Sequence, residues 1–562
     1  MATPHLLRVL WREITTRIGC SNGEEARCAA RAFFTPPNAR WMTVFIVVSG
    51  LYAANVIQWS IRFGRLAMDP VFDDVGYLFD GLQRLNILDR SGFHAFCQTF
   101  ISSPPHSPWS TSLAILSFAL MGIHDWAPYT LNSLLIFLFL CVTWDLVGQG
   151  KAFTAAAITS TVLLLQLPFQ AVLEFRPDFA VGLFTAAFSL LILKMGCYDI
   201  ESESRRHFFV GLLAGLAYLT KPSFCPHTTA MLFSAILIAE ICRGLRSRAR
   251  FDPWGIVRRF SVVLAGAVLI AGFYFLLNWR AELDYFLSNT GPGKDAAIWK
   301  VRGGFWASLM GRIQGYSMDL TLGHFKKLLA SWLFFGLVFS VFQRNYRATL
   351  FILGGVLLAS VSLLLISAGQ MIDPHFSYTW AIVFVLTTLF AVSEIGRNRF
   401  GTFLVIVFCL MSLFTFYKAS PTRNIWLVIN DTAQGKSINE SIVQRVAASA
   451  NANYGTRTPV VYATFMGKVN AASQNWLALS HNQNIEFRDL HRSGDIIQHM
   501  NAIQNADFVE IADPGSQWLD RWLPSALLQS SLLEKVRSLA GFEELAPVVG
   551  KEGTVFLFKK RI

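Results

Sequence analysis

The chain has 562 residues, 53% of them hydrophobic and only 15% charged, with a mean hydropathy of +0.43. Soluble domains carry roughly a quarter charged residues, so an ordinary soluble enzyme is excluded and a polytopic membrane protein is indicated. The net charge of +12 does not mark a nucleic-acid binder, because the arginines fall in short loops between apolar runs. There they orient helices and meet anionic headgroups.

In chain order, residues 1–40 are polar and arginine-bearing (Arg8, Arg12, Arg17, Arg27, Arg31, Arg40) and show no cleavable signal pattern. They read as a cytoplasmic segment before an uncleaved signal anchor that begins at Trp41. A spanning helix needs about 20 apolar residues. Segments 41–62, 127–147, 152–171, 179–196, 207–222, 224–242, 259–279, 328–343, 348–368, 378–394 and 401–417 meet that need, giving about 11 spans.

With the N-terminus in the cytoplasm, every strongly basic short loop lands on one side. These are the loops holding Lys151, Arg205 and Arg206, the 243–259 cluster, Arg344 and Arg347, and Arg397 and Arg399. Asp73, Asp74, the Glu174–Asp178 cluster, Lys221 and the Asp373–His375 turn land on the other. So does everything after residue 417.

The first outward loop, 63–126, is too long for a connector. Val75–Asn86 has helical spacing of apolar residues, a proline-rich stretch surrounds His106, and Trp109–Ile123 is apolar but short. Such a loop predicts interfacial helices roofing a pocket. A second outward loop, 280–327, is polar, with a turn at Asn289–Gly293. From 418 the composition turns soluble. Strands at Pro459–Phe465, Ile485–Leu490 and Asp507–Ala512, a helix at Asp495–Gln504, and a hairpin over Val548–Phe558 predict a small α/β domain, 418–562. It carries no phosphate loop, nucleophile elbow or metal motif. The eight cysteines show no CxxC or metal-ligand spacing, and none lies in this domain.

Carboxylates and cations at one face suit sugar transfer from a lipid phosphate. The leaving phosphate departs as an anion and needs cationic stabilisation, and the incoming hydroxyl needs one carboxylate base. Asp73 can supply the base; Arg176 and Lys221 can meet the phosphate.

The order of these elements resembles the GT-C class of polyprenyl-phosphate-sugar-dependent glycosyltransferases, in the branch containing protein O-mannosyltransferases and lipid A aminoarabinose transferases. Asp73-Asp74-Val75-Gly76-Tyr77 is similar to the family's Asp-Glu pair and aromatic, with Asp in place of Glu. Ser103-Pro104-Pro105-His106 is similar to its His-Pro-Pro-Leu segment, without the histidine in place. Arg176-Pro177-Asp178, then Gly215-Leu216-Ala217-Tyr218-Leu219-Thr220-Lys221-Pro222, then Asp373-Pro374-His375-Phe376-Ser377-Tyr378 follow in the family's order. The resemblance covers roughly residues 41–395.

It implies a polytopic α-helical membrane protein with a GT-C-like domain at 41–417, acting on a polyprenyl-phosphate-linked sugar. The acceptor is a glycan, lipid or protein hydroxyl on the periplasmic face of a bacterial inner membrane or a luminal face. Asp73 would be the base and Asp74 its assistant. Glu174, Arg176, Asp178, Lys221, His375 and Tyr378 would line the donor phosphate and sugar site. Metal dependence stays open; a divalent cation, Mg or Mn, at Asp73 and Asp74 is the cofactor admitted. The rival reading is a transporter or flippase for a lipid-linked or anionic substrate, since intramembrane charges and many spans suit that class too.

Overall fold

The structure is a computed structural model describing residues 39–67, 69–70, 72–148, 152–198, 203–247, 252–289, 300–301, 303–370, 373–397, 399–419, 432–451, 457–517, 519–521, 523–550 and 553–561. The expected N-terminal segment up to Asn38 and the Thr290–Gly293 part of the second-loop turn lie outside the described residues.

Among the described residues nine helices are long and apolar enough to cross a membrane. They are Ala39–Phe63, Ala127–Val147, Pro177–Tyr198, Pro222–Arg246, Pro253–Ser288, Gly323–Phe342, Tyr346–Ala368, Pro374–Ile395 and Phe400–Lys418. A bent pair, Ala152–Leu164 and Gln166–Leu173 meeting at 52°, is apolar enough taken together and has the form of a broken span or a re-entrant loop. The remaining expected segment, 207–222, is the helix Glu203–Thr220. Its start carries Glu203, Arg205 and Arg206, so it is less apolar than the others, but it packs along Pro253–Asn289.

Pro177–Tyr198 is the centre of the bundle, its apolar window wholly buried. Glycines allow its neighbours to approach closely. A Cβ on Gly196 would lie 2.4 Å from the Ala239 carbonyl oxygen, and one on Gly211 only 2.1 Å from that of Val263. Gly266 answers Gly211 across the same contact, 2.2 Å from the Phe208 oxygen. Helices in lipid gain their attraction from such backbone proximity, because burial of apolar surface supplies little there.

Charges at the end of the bundle away from the acid pair are neutralised locally. Lys194 donates to Asp145 at 2.9 Å, Glu240 pairs with Arg259 and Arg243, and Glu394 accepts from Arg397 and Asn345. Buried charges persist only when paired in this way.

The first outward loop forms three helical segments: the run Phe72–Ser102 is broken in two at Gly92, where φ is 79°, and Pro108–Met121 follows. Val75, Leu78 and Leu82 of the first are buried, as helical spacing predicted. The hairpin is riveted by buried Arg84, which holds Asp80, Thr99 and the Ser103 carbonyl and covers the Phe100 ring.

Beyond residue 419 the chain builds a six-stranded sheet in the order β2-β1-β3-β6-β4, with β5 also on β6. The strands are β1 Val460–Ala463, β2 Glu486–Asp489, β3 Phe508–Ala512, β4 Phe542–Glu544, β5 Val548–Gly550 and β6 Gly553–Lys560. β1, β2 and β3 are parallel, joined by crossover helices Ala471–Ser480 and Ile496–Asn505. Asp495 caps the second of these, accepting from Ile497 N–H. β6 runs antiparallel to β3, β4 and β5. The expected hairpin pairs Gly550 with Gly553, with Lys551 and Glu552 outside the described residues. The sheet docks on the first outward loop: Asn439 donates to Asp69, Ser473 donates to the Pro70 carbonyl, and Phe118 stacks on Trp476.

Two outcomes follow. Gly211→Ala forces a methyl into the Val263 carbonyl, so the yield of folded, monodisperse protein on size exclusion should fall sharply. Gly50→Ala, with nothing within 4 Å, should leave it unchanged. The second concerns Glu510, fully buried in the middle of β3 with Gln474 donating to one carboxyl oxygen. Burial pushes it from 4.5 up to about 8, Gln474 offsetting only part of this. The unfolded chain releases that proton near 4.5 while the folded chain keeps it to about 8, so stability declines as pH rises through this window. Glu510→Gln should therefore raise the melting temperature at pH 8 by several degrees, on the order of 2–4 °C per kcal/mol, and change little below about pH 4.5.

Candidate active site

Alternation of the spans brings one set of helix ends into a single layer, and the chemistry lies there. Arg65 follows the first span, Asp73 and Asp74 open the Phe72–Ser102 helix, and Glu174 to Asp178 link the bent pair to Pro177–Tyr198. Lys221 precedes Pro222, and Asp373 to Ser377 turn the chain into Pro374–Ile395. Pro177, Pro222 and Pro374 stand at first-turn positions, where the missing N–H costs no helical bond.

Arg176 is the hub. Its guanidinium meets Asp73 at 2.8 Å, Asp178 at 3.2 Å and Asp373, and lies 3.0 Å from His375 Nδ1. Lys221 donates to the other Asp178 oxygen at 2.6 Å and covers the Phe376 ring at 4.3 Å. The two ring nitrogens of His375 each face a carboxylate, Glu174 at 2.8 Å and Asp373 at 2.5 Å. Desolvation alone would lower Arg176; Asp373, Asp73 and Asp178 outweigh it and hold the guanidinium well above its ordinary value. Burial alone would raise Asp373 and Glu174. Arg176 and His375 bring Asp373 well below the carboxylate range, and His375 with Arg65 and Arg176 brings Glu174 below it. The carboxylates are therefore anionic, and the stability they lend is lost only as pH falls through their depressed values.

The adjacent aspartates face different surroundings. Asp73 is 52% exposed at the mouth, with Arg176 behind it. Asp74 is fully buried. Its Oδ2 takes the Tyr129 hydroxyl at 2.8 Å, the Phe175 N–H at 3.0 Å and Arg65 at 3.0 Å. Burial pushes Asp74 up, Arg65 opposing. Through these contacts Asp74 ties the first outward loop to the Glu174–Arg176 link. Among the described residues no group of three or more His, Cys, Asp or Glu side chains is arranged to hold a metal ion.

Of the remaining expected residues, Glu174, Arg176, Asp178, Lys221 and His375 converge. Tyr378 does not join them at an open surface; it is 2% exposed, edge-on to Phe179 and beside His375 in the helix packing. Sequence reasoning overlooked four participants. Arg65 and Tyr129, which hold Asp74, drew no attention in the sequence. Arg312, inside the loop read only as polar, is buried and donates to Ser377 at 3.0 Å; desolvation pulls it down to about 10, Asp373 opposing. His106 sits among Lys221, Asp73, Asp178 and Arg176, and the surrounding protein with Lys221 pushes it down to about 4. It stacks on Tyr77, ring centres 6.0 Å apart, and meets Tyr285 at 4.7 Å. The one legible signal was His106 itself, standing directly after the Pro104-Pro105 pair.

No protein-family model and no curated protein matches the chain. Solved structures do. ArnT from Cupriavidus metallidurans bound to undecaprenyl phosphate superposes with a TM-score of 0.57 at 12% identity, covering 93% of this chain and 98% of that one. The same protein in the apo state gives 0.56 at 13% identity, covering 92% and 97%. At such identity the likeness speaks to architecture, and it runs through both the bundle and the sheet: the chain has a GT-C-like fold, as a multi-pass membrane protein with a C-terminal α/β domain.

Proposed function

We propose that the chain is a membrane glycosyltransferase. It moves a sugar from a polyprenyl-phosphate donor to an acceptor hydroxyl at the site-bearing end of the bundle, which we assign to the periplasmic face of a bacterial inner membrane. The observation that carries the reading is the half-exposed Asp73 carboxylate 2.8 Å from Arg176, with Lys221 joined to the same network through Asp178. The undecaprenyl phosphate bound to the ArnT neighbour supports a lipid-phosphate ligand for this fold.

In the reaction, the acceptor oxygen attacks the anomeric carbon while Asp73 takes its proton. The bond from that carbon to the phosphate oxygen breaks, and polyprenyl phosphate leaves with the electron pair. Arg176 and Lys221 stabilise the charge that develops on it. Asp178 holds both cations in place, and Glu174 and Asp373 fix His375 against Arg176. Arg65 and Asp74 set the position of the loop that carries the base. Side chains carry every step in this scheme.

Asp73→Asn should reduce transfer by about 10²–10⁴-fold with folded yield and undecaprenyl phosphate binding retained; wild-type turnover would remove the assigned base. Asp74→Asn should act on the fold instead. Arg65 would keep only the longer contact to Glu174, at 3.5 Å, and weakening its charge-assisted contact to Asp74 costs about 1.5–3 kcal/mol, read as a lower yield of monodisperse protein. Lys221→Gln and Arg176→Gln should each weaken undecaprenyl phosphate binding by roughly tenfold or more and raise the donor KM. Unchanged binding in both would move the phosphate site elsewhere.

A further inference from the structure

We propose that His106 and Tyr285 form the face that receives the transferred sugar of the donor, and that this sugar carries no charge. The inference rests on the transferase reading above and names the substrate class of its donor.

The loop that bears His106 is fastened on both sides of the charged layer. Asp73 and Tyr77 lie four residues apart on one helical stretch before the break at Gly92, so they share a face, separated by about 6 Å of rise. His106 stacks on Tyr77, with ring centres 6.0 Å apart and planes 16° from parallel. On the other side, fully buried Ser107 donates to the Thr220 carbonyl at 2.6 Å, directly before Lys221. The His106 loop therefore bridges the helix face of the proposed base and the turn that carries a cation assigned to the phosphate.

The same loop is held from above. Pro104, Pro105 and Pro108 restrict its backbone. Tyr274, on the Pro253–Asn289 helix, donates to the Pro105 carbonyl at 3.2 Å, its hydroxyl also 2.6 Å from Glu282. Tyr285 stands about three turns further along the same face of that helix. Its ring meets His106 at 4.7 Å, tilted by 60°. Tyr77 is buried beneath, whereas His106 and Tyr285 are both exposed.

Two exposed rings fixed beside a carboxylate base suit a sugar. Aromatic faces offer apolar surface to the C–H side of the ring, and a neutral imidazole adds one donor and one acceptor for its hydroxyls. His106 is neutral at pH 7, since the surrounding protein and Lys221 bring it down to about 4. The charges of the layer are meanwhile committed. Asp73, Asp178 and Asp373 face Arg176, Asp178 also faces Lys221, and Glu174 faces His375. A sugar ammonium would have to draw a carboxylate out of these pairs, and a sugar carboxylate would compete with the phosphate for its cations. An uncharged sugar meets the rings without either loss.

The test measures binding to the full-length chain in lipid nanodiscs. The probes are bare undecaprenyl phosphate, its neutral glucosyl, mannosyl, galactosyl and arabinosyl forms, and an aminopentosyl and a uronosyl form. At least one neutral form should bind the wild-type chain about tenfold more tightly than the bare lipid, and the two charged forms should show no such gain. His106→Phe keeps a ring and loses the hydrogen-bonding edge; Tyr285→Ala removes the second ring. Each should abolish most of the gain, with folded yield and bare undecaprenyl phosphate binding unchanged. A merely structural role would weaken every probe alike, and that result overturns the proposal. So does a gain that survives both substitutions, or a larger gain for a charged sugar. If bare undecaprenyl phosphate binds and no sugar adds to it, the sugar face alone falls; if no form of the lipid binds, the transferase reading falls with it.

Discussion

A guanidinium buried at the meeting point of several helix ends governs this molecule. Arg176 reaches Asp73 in the first outward loop, Asp178 at the head of the central helix and Asp373 at the head of another. A lone buried cation would be prohibitive, and so would the buried carboxylates around it. Each is tolerable because the others are there. The layer is therefore cooperative: taking out one member leaves an uncompensated charge, which costs far more than the pair contributes net. Away from the layer, glycine contacts and apolar side chains make most of the packing, with local ion pairs such as Lys194–Asp145 and Arg259–Glu240 at the far end.

Much of the fold was legible because lipid imposes a simple rule on composition. Nine expected spans correspond to membrane-length helices, 152–171 to a bent pair and 207–222 to the less apolar Glu203–Thr220, and the three βαβ strands, the capped helix at Ile496–Asn505 and the C-terminal hairpin fall where alternation and turn residues placed them. Less visible were Thr432–Asn451 and Gln529–Arg537, polar helices whose narrow apolar faces resemble coil in composition. β4, three residues long, carries too short a pattern to detect.

The candidate site was legible as a set of residues and illegible as a set of partners. Charges in an apolar chain announce themselves, which is how Asp73, Glu174, Arg176, Asp178, Lys221 and His375 were found. Which carboxylate meets which cation depends on contacts between residues far apart in sequence, such as Phe175 N–H to Asp74 or Arg176 to Asp373. The Asp73–Asp74 pair shows the limit best. Two identical neighbours on a helix diverge by about 100°, so one reached the mouth and the other the interior, and no local pattern distinguishes them.

The charge balance of the site then constrains how a lipid phosphate could enter it. Arg176 and Lys221 both already face carboxylates, so an incoming phosphate competes with them for the same cations. Asp178 is 2% exposed and touches both cations; releasing it would strand an anion in the interior. Asp373 is also held by His375. Asp73, 52% exposed, can exchange Arg176 for water at little cost. Under the transferase reading, occupation of Arg176 by the donor phosphate frees the very carboxylate assigned to deprotonate the acceptor. Donor binding and arming of the base become one event, and the Asp73–Arg176 contact is the resting state of that coupling.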